Sequence, residues 1–169
     1  MSSPTTMGNP VSSHPGTSPG AEAPAAVPAA IAIASDHAGL DLKADLRAVM
    51  EQAGHSVLDL GPHRPDSVDY PDFADALAAA LADGRAGRGV LICGSGIGIS
   101  IAANRHRHVR AALIHDVTGA RLAREHNDAN VIVLGARTTG VEVARDCIAT
   151  FLATPFAGGR HARRVAKLG

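Results

Sequence analysis

GVLICGSGIGIS, residues 89–100, runs an unbroken apolar stretch into a turn with glycine at Gly94, Gly96 and Gly98. Gly89 to Cys93 has the length of a strand, and Val90, Leu91 and Ile92 leave it no polar face. A strand apolar on both sides belongs inside a parallel sheet, with helices covering it above and below. The glycine turn then opens a helix from about Ile97 to Asn104.

Outward from this unit the same strand-then-helix alternation recurs, five times in all, with short turn signals between. Upstream, Ala30 to Ala34 reads as the first strand and Leu40 to Ala53 as the first helix. Leu42, Leu46, Val49 and Met50 share one face of that helix, and Gly54 stops it. His55 to Leu60 is the second strand. A proline-containing loop leads to an alanine-rich helix, Asp72 to Asp83, with Pro71 at its first turn. Downstream come a strand at Arg110 to Ile114, a helix from Val117 to about Glu125, a strand at Asn130 to Leu134 and a helix from Gly140 to Ala153. The expected fold is α/β, a Rossmann-like three-layer sandwich around a five-stranded parallel sheet. Residues 1–29, rich in Ser, Pro, Gly and Ala, have too few large apolar groups to offset the entropy of ordering and read as a disordered arm. Residues 30–169 form the domain, including a basic C-terminal tail.

Composition narrows the function classes. Hydrophobic residues make up 46% of the chain but aromatics only 2%, so Ala, Val, Ile and Leu must fill the core. Sixteen basic and 16 acidic residues cancel, which argues against a nucleic-acid partner. No apolar run approaches the ~20 residues of a membrane helix. Two cysteines, Cys93 and Cys147, and no secretory signal point to free thiols in the cytoplasm.

Ligands of open parallel sheets bind beyond the carboxyl ends of the strands, so chemistry is sought in the loops there. Gly94, Gly96, Ile97 and Gly98 present backbone N–H groups that can face a phosphate or a developing oxyanion, or the glycines serve packing alone. The turn lacks the sixth-place glycine of a dinucleotide fingerprint, where Ile99 stands, and the Gly-Lys-Ser/Thr of a Walker loop. It also lacks the arginine of a cysteine phosphatase loop. Cys93 is placed to act as base or nucleophile, or is an inert packed thiol. Cys147, within the last helix, takes the inert reading. Asp36 and His37 follow the first strand, where they either do chemistry or cap the first helix. His126 and Asn127 close the fourth helix, as proton shuttle and polar partner or as caps. Arg160 and Arg164 share one helical face, suited to phosphate or merely solvated. Neither HExxH nor paired CxxC occurs, so no metal and no cofactor are expected.

Five stretches agree in order and spacing: SDHAG after the first strand, DYP before the second helix, LICGSGIGISIAAN, EHNDANV, and GGRH near the end. Together they resemble the ribose-5-phosphate isomerase B and galactose-6-phosphate isomerase family, over about Ile31 to Leu168. The resemblance implies metal-independent aldose–ketose exchange on an open-chain sugar phosphate through a cis-enediolate. Cys93 matches the family's base in the branch that uses cysteine; the glutamate of another branch would fall where Ser100 or Ile101 stands. Ser95 matches a residue that moves protons among the oxygens, and His126 the one that opens the furanose ring. Asp36 and Asn127 would bind hydroxyls, and Tyr70 would line the pocket. His37, Arg137, Arg160 and Arg164 match the phosphate ligands, the last two reaching in from a neighbouring subunit. A homodimer with composite sites, or a tetramer of such dimers, is therefore implied. Rival readings are a galactose- or allose-6-phosphate isomerase and a non-catalytic nucleotide- or phosphate-binding module.

Overall fold

Apolar side chains alternate between two faces in every central strand, and the layers follow from that alternation. A computed structural model describes Met1 and residues 29–168. The strands are β1 (Ala30–Ser35), β2 (Val57–Asp59), β3 (Ala86–Cys93), β4 (Ala111–Leu113) and β5 (Val131–Gly135). The helices are α1 (Leu40–Gln52), α2 (Tyr70–Ala82), α3 (Ile97–Ala103), α4 (Val117–Asn127), α5 (Val141–Ala153) and α6 (Arg160–Val165). All strand pairs are parallel, in the order β2-β1-β3-β5-β4. Ile31, Ile33, Val90, Ile92, Ile132 and Leu134 face α1, α4 and α5, whose Leu46, Met50, Ala120, Ile148 and Phe151 complete one core. Ala32, Ala34, Leu91, Cys93, Val131 and Val133 face α2 and α3, against Leu77, Ala78, Ile99 and Ala103. Crossovers running one way along the sheet use one face and those running back use the other, as right-handed connections require.

The α/β three-layer fold expected from the sequence is the one observed. The differences lie at element ends. β3 begins at Ala86 rather than Gly89, because Gly87 and Gly89 carry no side chain to extend an apolar pattern, and a Cβ on Gly89 would meet Leu77 Cδ2 at 2.6 Å. α2 starts at Tyr70, taking Pro71 inside its first turn. The basic tail contains a short helix of its own, α6. Residues 2–28, read as a disordered arm, lie outside the described residues. Among the described residues no helix is long and apolar enough to cross a membrane.

Asp36, Lys43 and Arg124 are charged side chains buried against the surface pattern. Lys43, on α1, is 3% exposed and donates to Asp59 Oδ1 at 2.6 Å, at the end of β2. Gly61 N–H and Arg47 also donate to that carboxylate. Burial pushes the Asp59 carboxyl up, but Lys43 and the Gly61 amide outweigh it and hold it below its usual range. A carboxyl held low adds stability that is complete above its unfolded value, about 4, and fades as the pH falls through the lower folded value. Asp59→Ala strands a buried ammonium, so we expect a loss of about 3 kcal/mol at pH 7 by urea denaturation, narrowing as both proteins are taken toward pH 3.

Candidate active site

The loops after β1 and β3 leave the sheet in opposite directions, to α1 and to α3, and open a crevice between these neighbouring strands. Cys93 ends β3 on the α3 side, 4% exposed. Its sulfur accepts the Gly96 N–H at 3.1 Å. Gly96 is held at φ 78°, a backbone state that a side chain resists, and the Leu134 carbonyl packs 3.2 Å from where its Cβ would be. The turn is thereby folded back over the thiol. Ser95 Oγ accepts the Ile97 N–H at 3.3 Å, which fixes the hydroxyl on the same glycine turn.

Neighbouring loops close around this turn. Asp36 donates its N–H to Ile92 O at 3.0 Å, and its carboxylate accepts the Ala38 and Gly39 amides. Asp36 thus caps, through Oδ1, the short 3-10 turn His37–Gly39 that leads into α1, while α1 itself has Gly39 at its N-cap and no side-chain cap. His37 Nδ1 accepts the Val68 N–H at 3.4 Å, so its Nε2–H is the free donor. That contact ties the β1 loop to the segment before α2. Tyr70, first residue of α2 and 39% exposed, lies across Gly98, its Cζ 2.6 Å from where a Cβ would stand. Beyond β5, Ala136 N–H donates to Cys93 O and Arg137 N–H to Gly94 O, both at 2.9 Å. The exposed Arg137 guanidinium sits about 3.5 Å from the Cβ position of Gly94. One sheet edge thus gathers a thiol, a hydroxyl, a carboxylate, an imidazole, a phenol and a guanidinium around a glycine turn.

His126, Asn127, Arg160 and Arg164 are not part of this gathering within one chain. α4 starts beyond the carboxyl end of β4 and ends where β5 begins, at the amino edge of the sheet. β5 alone spans about 16 Å, and that separates the two edges. Amino-edge contacts anchor the end of α4: Arg124 donates to Thr154 O, and Arg110, just before β4, donates to Asp128. α6 packs on α4 there, and the rings of His126 and His161 stack with centroids 4.3 Å apart and planes 6° from parallel. Partial desolvation, then His126 and the Arg160 and Arg164 charges, push the His161 imidazole below its ordinary range, against a smaller pull upward from Glu125.

A family model described as Ribose/Galactose Isomerase matches residues 31–168. The chain belongs to that family. Ribose-5-phosphate isomerase B of Escherichia coli is 41% identical over 134 residues, covering 79% of this chain and 90% of that protein. D-erythrulose-4-phosphate isomerase of Pectobacterium atrosepticum is 43% identical, covering 82% of this chain and 91% of its own. The ribose-5-phosphate isomerase B structure from Clostridium thermocellum superposes with a TM-score of 0.81 at 47% identity, over 82% of this chain and 94% of that one.

Within this ribose/galactose isomerase chain, the remaining candidates sort by burial and partners. Cys147 is fully buried in α5, its thiol pushed up by desolvation and by Asp116 and Asp146, consistent with inert packing. His106 meets Asp75 at 2.8 Å and His108 meets Ala78 O at 2.9 Å, tying the loop before β4 to α2. Among the described residues no cluster of three or more His, Cys, Asp or Glu side chains could hold a metal ion. Reading the sequence overlooked His161. The signal was there, a histidine one place after Arg160 in a helical stretch, but it points to nothing until α6 is laid on α4.

Proposed function

We propose that this chain interconverts ribose 5-phosphate and ribulose 5-phosphate through a cis-enediolate, without a metal, in a homodimer whose sites are shared. The observation that carries this reading is the Cys93 thiol at the carboxyl end of β3, folded under a glycine turn by the Gly96 amide. Membership of a sugar isomerase family, and the names of the relatives, favour the same chemistry.

In the reaction Cys93, as thiolate, removes the proton on C2 of the open-chain aldose. The electron pair forms the C1–C2 double bond, and the carbonyl oxygen on C1 becomes an oxyanion. Amides from Gly94 to Gly98 stabilise that charge, and Ser95 carries a proton from O2 to O1. Cys93 then returns its proton to C1, leaving the carbonyl on C2 and no net change in atoms or electrons. General-base and oxyanion contributions of ~10²–10⁴-fold and ~10²–10³-fold are ordinary for such groups. His37 and Arg137 hold the phosphate from the Cys93 side, and Asp36 and Tyr70 position the sugar. His126, Asn127, Arg160 and Arg164 lie at the other edge of their own chain, so a second copy must bring them to this crevice. There His126 opens the furanose ring, Asn127 binds a hydroxyl and the arginines complete the phosphate site.

Purified protein in EDTA buffer should convert ribose 5-phosphate to ribulose 5-phosphate, followed by ketose absorbance. Loss of turnover in EDTA, restored by a divalent ion, would overturn the metal-free reading. Because the erythrulose-4-phosphate enzyme is as similar to this chain as the ribose-5-phosphate enzyme, four-carbon and six-carbon phosphates belong in the same assay. A higher kcat/KM on either would move the substrate assignment.

A further inference from the structure

His126 sits in the last turn of α4, where nothing in its own helix fixes the plane of its ring. The ring of His161, from α6, lies flat against it at 4.3 Å and 6°. Parallel imidazoles this close share a face, so rotation of one about its Cβ–Cγ bond requires the other to move. The surroundings of the stack are one-sided in charge. α6 contributes Arg160 and Arg164, and α4 contributes Glu125, which is itself paired to Arg121 at 2.6 Å. Arg124 and Asp128, on the next turn, are engaged with each other at 2.8 Å. Two guanidinium groups therefore act on the rings, with one partly neutralised carboxylate opposing them.

We propose that His161 is a positioning residue for His126, holding its ring by the stack and coupling the protonation of the pair to phosphate bound at Arg160 and Arg164. This rests on the reading of His126 and the two arginines as parts of a sugar-phosphate site. With the arginines unoccupied, a proton on either ring faces their charge, and a second proton on the stack faces the first. A phosphate dianion on the arginines offsets their charge on the rings. The stack then takes up a proton as substrate binds, and the ring-opening step receives its acid only when there is a sugar phosphate to open.

The first measurement is the NMR titration of the His161 Cε1–H in the full chain, which needs no turnover. Inorganic phosphate should raise its midpoint by about half a pH unit or more, and Arg160→Ala/Arg164→Ala should raise it without phosphate and abolish the phosphate response. A midpoint that ignores phosphate, in a protein that isomerises ribose 5-phosphate, overturns this proposal and leaves the isomerase reading standing. A phosphate response in a protein inactive on every sugar phosphate would overturn the isomerase reading and the positioning role with it, leaving only a phosphate-coupled histidine pair.

Kinetics separate positioning from mere structure. His161→Ala should lower kcat by about tenfold to a hundredfold with a smaller effect on KM. His161→Phe, which restores a flat ring but no proton, should recover most of that loss and shift the acid limb of the kcat profile. An increase in KM alone would make His161 only a phosphate ligand. Equal kcat losses in both variants, with the profile unmoved, would make it only a structural contact. Either result overturns the proposal.

Discussion

Cys93→Ala should lower kcat on ribose 5-phosphate by about 10²- to 10⁴-fold, with KM and the far-UV CD spectrum close to those of the parent chain. The sulfur does little else in the fold. Cys93 lies at the end of β3, where its backbone carbonyl is held by Ala136 and its fold-defining neighbours are Leu91 and Val133 on the same face. Removing one sulfur atom there leaves β3 paired to β1 and β5 on both sides. The sulfur's own partner is the Gly96 amide, which lies in the turn and not in the sheet. A base that acts only on the C2 proton contributes in the transition state and hardly in the ground state, so kcat and kcat/KM should fall together. Cys147→Ala supplies the control: it opens a small cavity in α5 and costs stability, but lies on the other side of the sheet and should leave kcat unchanged. Near-parental turnover in Cys93→Ala would place the base elsewhere and remove the observation on which the proposed function rests.

What could be read from residues alone follows from where the physics is local. The strands were legible because Ile31 to Ala34, Val90 to Ile92 and Val131 to Leu134 are apolar on both faces, a pattern few other structures accommodate. The rule for parallel sheets pointed to the loops after the first, third, fourth and fifth strands. Asp36 and Cys93 do meet at one edge, joined by Arg137, which only the family resemblance had singled out, while the loop after the fourth strand adds no residue to this gathering. Strand order was not legible, since nothing local tells β5 to insert between β3 and β4. The Lys43–Asp59 pair was hidden for a related reason: a lysine reads as surface until the strand end that neutralises it is placed beside it. The contact of Tyr70 with Gly98 likewise joins two helices that sequence keeps separate. His126 is the instructive case. Its motif is as plain as that of Cys93, and its position was deducible, because a helix that precedes a parallel strand must end at the amino edge. Cys93, which ends a strand, lies at the carboxyl edge, so chemistry that suits one site does not put the two residues in one site of one chain.

Arg160→Ala and Cys93→Ala, each poor alone, should regain activity when co-expressed and purified together. Arg160 is exposed on α6 at the amino edge, and Cys93 lies at the carboxyl edge, about one strand length away. A pentose phosphate cannot bridge that span, so one chain cannot bring both groups to one substrate. In a two-fold dimer each site draws Cys93 from one copy and Arg160 from the other. A mixed dimer then carries one site with both defects and one with neither. Random pairing makes half the dimers mixed, and half of their sites intact, so about a quarter of the parental activity should return. The single variants set the background: Arg160→Ala loses a charge-assisted contact to phosphate, about 10- to 100-fold in kcat/KM, and Cys93→Ala loses the base. Restored turnover should show the parental KM, since the intact site lacks nothing. If the mixture performs no better than the average of its parts, each site is built within one chain. The amino-edge cluster of His126, Asn127, Arg160 and Arg164 would then have to serve some other ligand, and ring opening would need a different acid near Cys93.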